Sequence, residues 1–445
     1  MNRMTRRAFV RSGSLALLAL GLPPDFLTRS LLAQTAPGAR KKTLICIFQR
    51  GAVDGLNMVV PFGEKAYYAR RRATAIPAPV RDGSGALDLD GFFGLHPALR
   101  PLHELYGRRE LAVVHAVGSP HPTRSHFDAQ DFMETATPGV KSTRDGWLNR
   151  VLQHTDCTSC SGRALEDGAA HTADHVVGQA GMATSFHPSL RGIAMGAAMP
   201  RSLRGTAPAL AIADLDRFGV GSGRDDSAQT AFERIYGTAE GDLVSGSADD
   251  AFEAVRILRA ADPRQYRAAS GVQYPNGQFG QSLRQIAQLI KSGVGVEIAF
   301  ADIGGWDTHQ AQGAVQGQLA NRFTELARGI RALYDDLGDR MDDVVIMTMS
   351  EFGRTVAENG SGGTDHGHAN CMMVMGGAVA GGRIVGDWPG LEREQLYEGR
   401  DLALTTDFRD VFGEVVTGHL GTTNLDQVFP GHAVSATRFR GVLAG

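Results

Sequence analysis

Apolar and polar positions alternate along this chain in blocks of two kinds. Lys42–Phe48 (KTLICIF) is an unbroken apolar, β-rich run ended by Gln49-Arg50-Gly51. Such a run predicts a central strand buried on both faces. Leu111–Val117, Pro208–Ala213, Val294–Ile303, Val344–Thr348 and Cys371–Met375 predict further strands. Helical spacing predicts helices over His126–Thr135, Gly146–His154, Ser227–Ala261, Gly280–Lys291 and Asp407–Gly418. Pro97–Tyr106 reads as a helix opened by proline. Gln318–Asp336 is the longest amphipathic pattern, with Leu319, Phe323, Leu326, Ile330 and Leu333 on one face. Thr155–Thr172 is small and polar and reads as a surface loop. No repeat of fixed period is present.

Strands alternating with helices predict an α/β three-layer sandwich with a mostly parallel central sheet. Ligands in such folds bind beyond the carboxyl ends of the strands. Polar clusters fall there. Arg50 and Asp54 follow the first strand, His121–His126 follows Val117, and Asp307 and His309 follow Ile303. Glu351 and Arg354 follow Thr348, and Asp365, His366 and His368 lie in GGTDHGHAN just before Cys371.

Composition narrows the class. The chain has 445 residues, 42% hydrophobic and 21% charged, as an ordinary globular protein does. Thr5-Arg6-Arg7-Ala8-Phe9-Val10-Arg11, followed by the short apolar stretch Leu15–Leu20 and Pro23-Pro24, reads as a twin-arginine export signal. The expected organisation is therefore a leader and short linker over residues 1–36 and a single domain over 40–445, with an insertion near 155–290. Periplasmic or extracellular localisation follows, with the twin-arginine export machinery as a partner. Residues 1–33 hold five basic residues (Arg3, Arg6, Arg7, Arg11, Arg29) and one acid (Asp25). Without them 40 basic residues face 47 acidic ones, a net charge of −7. That balance disfavours nucleic acid and anionic membranes. No other apolar run is long enough for a transmembrane anchor.

Of the four cysteines, Cys157 and Cys160 form a lone CxxC, which in an oxidising compartment reads as a local disulfide. Cys46 and Cys371 lie in strand-like runs and read as buried thiols. The CxxC has no βαβ context for thiol redox work.

The strand-end clusters offer two chemistries. Asp307 and His309 stand two apart, and in extended backbone they point the same way. With His366 or His368 they make a zinc-type ligand set. Asp54, Glu351 and Asp365 offer a second set of oxygen donors, as a two-metal site would need. The plain alternative is a polar loop bonded to itself. Thr123 and Ser125 supply hydroxyls at a loop-to-helix junction, where free N–H groups and the helix dipole favour an anion. Either could attack an ester, and either could simply cap the helix. Arg124 suits a phosphate or sulfate oxygen.

TLICIFQRGAVDGLNMVVP, TRSHFDAQDFMET, GGWDTHQ, VVIMTMSEFGRT, GGTDHGHANCMMVMGGAV and GDWPGL, in this order, resemble the family called domain of unknown function 1501. That family is similar to the alkaline phosphatase superfamily, which includes sulfatases and phosphomutases. The resemblance implies an alkaline-phosphatase-like fold and roles by position. Asp54 resembles the acid after the first strand. Ser125, with Thr123 as alternate, resembles the nucleophile. Asp307 and His309 resemble the acid–imidazole pair, which the superfamily usually spaces four apart. Thr348–Gly353 resembles its Thr-Ser-Asp-His-Gly segment, with Glu351 for the acid and Phe352 for the histidine. His366 resembles the final histidine, and Asp407 the acid opening the last helix. Phe352 cannot bind a metal, so His368 or Asp365 is left to replace that ligand.

The expectation is a metal-dependent hydrolase of phosphate or sulfate esters acting on a small anionic substrate. Ser125, Thr123 and Arg124 would do the chemistry. Arg50, Arg354 and His126 would bind substrate. Asp54, Asp307, His309, Glu351, Asp365, His366 and His368 would hold one or two divalent ions of the zinc, calcium or manganese type. The alternative is a non-catalytic periplasmic binding or assembly protein on the same scaffold.

Overall fold

A computed structural model describes residues 41–155, 188–215, 258 and 266–444. The expected leader, the helix over Ser227–Ala261 (apart from residue 258) and the Cys157–Cys160 pair lie outside the described residues. Twelve strands are described. They are β1 Thr43–Gln49, β2 Val59–Val60, β3 Leu87–Asp88, β4 Gly94–Leu95, β5 Leu111–Gly118, β6 Gly192–Met195, β7 Leu210–Ile212, β8 Ile298–Ile303, β9 Val344–Met349, β10 Asn370–Gly376, β11 Arg383–Val385 and β12 Thr406–Asp407. The helices that matter below are α1 Gly55–Met58, α2 Arg100–Gly107, α3 His126–Thr135, α4 Trp147–His154, α5 Gln278–Ser292, α6 Gln318–Leu337 and α7 Phe408–Leu420.

The main sheet runs β11-β5-β10-β9-β1-β8-β6-β7, with β12 also on β5. Among the described residues, every pairing in it is parallel except the two made by β10. The fold is α/β with helices on both faces. In β1, Ile45 and Ile47 join one core with α2, α5 and α6. Leu44, Cys46 and Phe48 join the other with α4 and α7. A strand covered on both sides has no polar face to show, which explains the unbroken KTLICIF run. Leu319, Phe323, Leu326, Ile330 and Leu333 are all buried in the first core. Each such side chain contributes about 1.5–3 kcal/mol relative to exposure.

Three features were not anticipated. A separate antiparallel sheet, β2-β4-β3, covers the chain after α1. Strand β6, which no pattern predicted, and β7, which the Pro208–Ala213 run did predict, extend the main sheet from within the stretch read as an insertion. The third is the reversal of β10. Its amino end, preceded by His366 and His368, lies at the carboxyl ends of β9 and β5. The reversal therefore brings GGTDHGHAN to the edge where the clusters after β1, β5, β8 and β9 already meet. No described helix is long and apolar enough to cross a membrane.

Candidate metal centre

Four donor atoms converge at this edge. His366 Nε2 lies 3.0 Å from His126 Nε2, 2.9 Å from His309 Nε2 and 3.2 Å from Asp307 Oδ1. Asp307 Oδ1 is in turn 3.0 Å from His309 Nε2 and 3.5 Å from His126 Nε2. His126, Asp307 and His366 come from three separate segments.

The far side of each ring fixes its proton. His126 Nδ1 donates to Glu351 Oε1 at 2.8 Å, His309 Nδ1 to Asp365 Oδ1 at 2.9 Å and His366 Nδ1 to the Arg124 carbonyl at 2.8 Å. All three partners only accept, so each Nδ1 carries the hydrogen, and in the neutral ring each Nε2 turns a lone pair toward the cluster. Three lone pairs and a carboxylate oxygen then face one another. One extra proton satisfies one of these contacts, whereas a cation among His126, His366 and Asp307 meets three donors at once. A tetrahedral ion with bonds of about 2.0–2.1 Å holds its donors roughly 3.3 Å apart, and the 3.0, 3.2 and 3.5 Å separations among His126, Asp307 and His366 bracket that spacing, with His309 beside this set of three. Imidazoles held by carboxylates or carbonyls through Nδ1 are the usual setting of metal-bound histidine.

The donor set also selects among ions. Two imidazole nitrogens and a carboxylate oxygen are donor types that zinc or a neighbouring transition ion takes. Calcium takes six to eight oxygens, and manganese favours carboxylates, so neither fits as well. The expected second set does not assemble. Asp54 is fully buried and bonds Arg71 Nη1 at 2.6 Å and Gln312 Nε2 at 2.7 Å. Glu351 lies behind His126, also accepting from Gly51 N and Gln130 Nε2. Asp365 lies behind His309 and accepts from Asn359. These three carboxylates are held by hydrogen-bond donors, two of them the outer nitrogens of cluster histidines, and none of them is among the converging donor atoms. His368 is buried too, but its ring stacks on Tyr397 at 4.3 Å between centroids.

Local backbone makes the convergence possible. A Cβ on Gly363 would lie 2.4 Å from the His309 carbonyl carbon, and one on Gly367 would lie 2.4 Å from that of Arg354. The glycines of GGTDHGHAN thus let this loop press onto the Asp307–His309 and Arg354 segments. Phe352 stands 5.0 Å, centroid to centroid, from both His126 and His366. Where the superfamily resemblance implied a ligand, the chain has an apolar wall that two ligand rings lean on.

Electrostatics follow from these contacts. The bond to Glu351 raises the pKa of His126, and burial lowers that of His366. Partial burial works to raise the Asp307 carboxyl, but Arg354 and the nearby histidines outweigh it and hold the group low. Burial likewise opposes ionisation of Glu351, and His126 and Gln130 outweigh it.

Of the arginines read as binding an anion, Arg354 and Arg50 are committed elsewhere, and Arg124 keeps only Nη1 without a bond among the described residues. Arg354 is buried, and its guanidinium donates to the carbonyls of Ala52, Thr364, Gly51 and Trp306 and, at 2.6 Å, to Asp307 Oδ1. It fixes a ligand and has no face for an anion. Arg50 pairs with Asp302 and Glu134 and stacks on Phe48. Arg124 gives Nε and Nη2 to Asp401 and Glu398. His126, read as a substrate contact, turns Nε2 into the donor cluster. Ser125 occupies the N-cap position of α3, is exposed, and its hydroxyl makes no capping bond. The Thr123 hydroxyl is occupied, accepting from Ser125 N at 3.2 Å.

Sequence reasoning missed Arg71, Gln312, Asn359 and Gln130. Only Gln130, four residues after His126 on one helix face, left a signal in spacing.

The cluster is open to solvent, with side-chain exposures of 24% at His126, 39% at His309 and 23% at His366. A family model described as "Protein of unknown function (DUF1501)" matches residues 112–434. No curated protein matches the chain. Among solved structures, the sulfatase PsFucS1 from Pseudoalteromonas sp. is similar at 11% identity and a TM-score of 0.39, over 94% of this chain and 75% of that one. Ps i-CgsB is similar at 10% identity and a TM-score of 0.38, over 88% and 74%. Likenesses this distant bear on neither the site nor its chemistry.

Proposed function

The chain belongs to the DUF1501 family, and from that premise we propose that it is an exported hydrolase of phosphate or sulfate esters that uses one zinc-class ion. The observation that carries the proposal is the convergence of three Nε2 lone pairs and Asp307 Oδ1 at a solvent-open sheet edge. A divalent ion bound there supplies Lewis acidity toward an ester oxygen. His126, His366 and Asp307 hold it with His309 beside them, while Glu351, Asp365 and the Arg124 carbonyl set the rings. Ser125 is the nucleophile in this reading. Its hydroxyl is exposed and free of a capping bond, and it precedes a ligand histidine. The amino end of α3, ten residues long, offers its first N–H groups to an ester anion in this reading. Arg124 Nη1 makes no bond among the described residues, so it can meet an ester oxygen while Nε and Nη2 stay on Asp401. Arg6-Arg7 with Phe9 supports export.

The test is elemental analysis of purified protein, followed by aryl phosphate and aryl sulfate hydrolysis by wild type and Ser125→Ala. The proposal expects one metal per chain and activity that Ser125→Ala removes. A second reading has one observation in its favour. His309 Nε2 stands 2.9 Å from His366 Nε2 and 3.0 Å from Asp307 Oδ1, so a small shift would add it as a fourth protein donor and close the shell, as in structural zinc sites. The chain would then be a metal-bearing binding or assembly protein. Stoichiometric metal with no ester hydrolysis, and a native function untouched by Ser125→Ala, would select it.

A further inference from the structure

Asp401 lies 35 residues beyond His366 in sequence and had no role in the reading of the motifs. It is fully buried. Its carboxylate accepts from two arginines. Arg124 donates through Nε at 3.1 Å and Nη2 at 2.7 Å, and Arg400 through Nε at 2.9 Å and Nη2 at 3.1 Å. Both arginines end on the same histidine. The Arg124 carbonyl accepts from His366 Nδ1 at 2.8 Å, and Arg400 Nη2 donates to the His366 carbonyl at 2.6 Å.

We infer that Asp401 is a positioning residue of the metal centre, which holds His366 through Arg124 and Arg400. This rests on the metal reading given above. The ring of His366 is the hub of the cluster, since its Nε2 lies within 3.2 Å of all three other donors. His126 and His309 each have a carboxylate on Nδ1, and His366 has a backbone carbonyl. A carbonyl on a loop is only as fixed as the loop, and the Arg124–Asp401 pair anchors that loop. Asp401 is anchored in turn, because its backbone exchanges bonds with Tyr397 and bridges Thr355, next to Arg354. Thus one buried carboxylate ties the segment of His366 to the segment that fixes Asp307. A carboxylate kept only for stability would not need both partners to converge on one ligand.

The test uses full-length protein freed of metal and titrated with cobalt(II) alone. Affinity is read by chelator competition, geometry by the visible absorption of bound cobalt, and integrity by the melting temperature without metal. Asp401→Asn is expected to weaken cobalt binding about 10–100-fold and to shift the absorption bands. Arg400→Met removes a half-exposed side chain and is expected to act in the same direction with a smaller loss. Should Asp401→Asn fail to fold, Arg400→Met decides alone. Wild-type affinity and bands in the folded variants overturn the role of Asp401. Wild-type protein that takes up no stoichiometric cobalt overturns the metal reading, and this inference with it.

Discussion

Two polar clusters lie near the same edge of the sheet, and they obey opposite rules. Around Asp54 the acceptors are met by donors. Arg71 gives Nη1 to Asp54 and Asn57, Nε to the Val356 carbonyl and Nη2 to the Thr355 carbonyl. Gln312 donates to Asp54, and its own oxygen accepts from Thr308 and Thr364. Two buried histidines behave alike. His96 accepts from Ala98 N and donates to the Ala314 carbonyl, and His115 accepts from Ala116 N and donates to the Val59 carbonyl. Each ring is complete within the protein. At His126, His309 and His366 one nitrogen is complete, and the other faces further acceptors. The Asp54 cluster is fully buried and the other is open to solvent, but burial alone does not decide what each can bind. The balance of donors and acceptors does, and it marks where the fold has left room for a cation.

The sharpest way to break this comparison is to unbalance the closed cluster. Asp54→Ala leaves Arg71 buried without its carboxylate and is expected to cost about 3–5 kcal/mol. Urea denaturation measures the loss, and the metal content of the surviving folded protein should stay at the wild-type level. A loss of metal in parallel would mean that Asp54 belongs to the centre after all.

Acid sharpens the comparison next. Burial lowers the pKa of His96, His115 and His419 to about 4, against 6.5 for a free histidine. These groups are neutral when folded and take up protons when unfolded. They cost no stability above about pH 6.5, and the cost grows as pH falls toward 4, where it levels off. The expected penalty is roughly 1–3 kcal/mol per histidine. Melting temperatures of metal-free protein should therefore fall between pH 6.5 and 4, and replacing His115 with an apolar residue of similar size should flatten that slope.

In the open cluster the carboxylates behind the rings are the handle. Asp365→Asn keeps an acceptor for His309 and removes the charge, and it is expected to weaken metal binding about 10–100-fold, or about 1.4–2.7 kcal/mol. Isothermal titration with zinc measures it, and the metal-free fold should be unchanged because Asp365 is exposed. The smallest effect belongs to Phe127, 91% exposed on the first turn of α3. Phe127→Ala should change stability by no more than about 0.5 kcal/mol in denaturant.

Much of this was legible before the fold. Helix α3 matches the spacing of His126–Thr135 residue for residue, and β1, β5, β9 and β10 fall within one or two residues of their apolar runs. The edge where polar clusters gather was legible as well, because the apolar period stops abruptly at each strand end. Asp307, His309 and His366 could be paired as donors from type and place alone. The division of labour among the acids could not. Asp54 and Asp307 look equivalent in sequence, and what separates them is Arg71, seventeen residues from Asp54 and brought against it by tertiary packing. His126 was read as a substrate contact because nothing local says which ring nitrogen faces inward. That depends on Glu351, 225 positions away. The reversal of β10 was hidden for the same reason, since a strand buried on both faces reads alike in either direction.

The most direct test of a cation site at this edge is the metal content of the folded, purified chain, measured by elemental analysis beside the His309→Ala/His366→Ala double variant. The account predicts close to one zinc-class ion per chain in the wild type and almost none in the variant, with both proteins folded. A wild-type chain that carries no metal, and takes up none from added zinc, would contradict it.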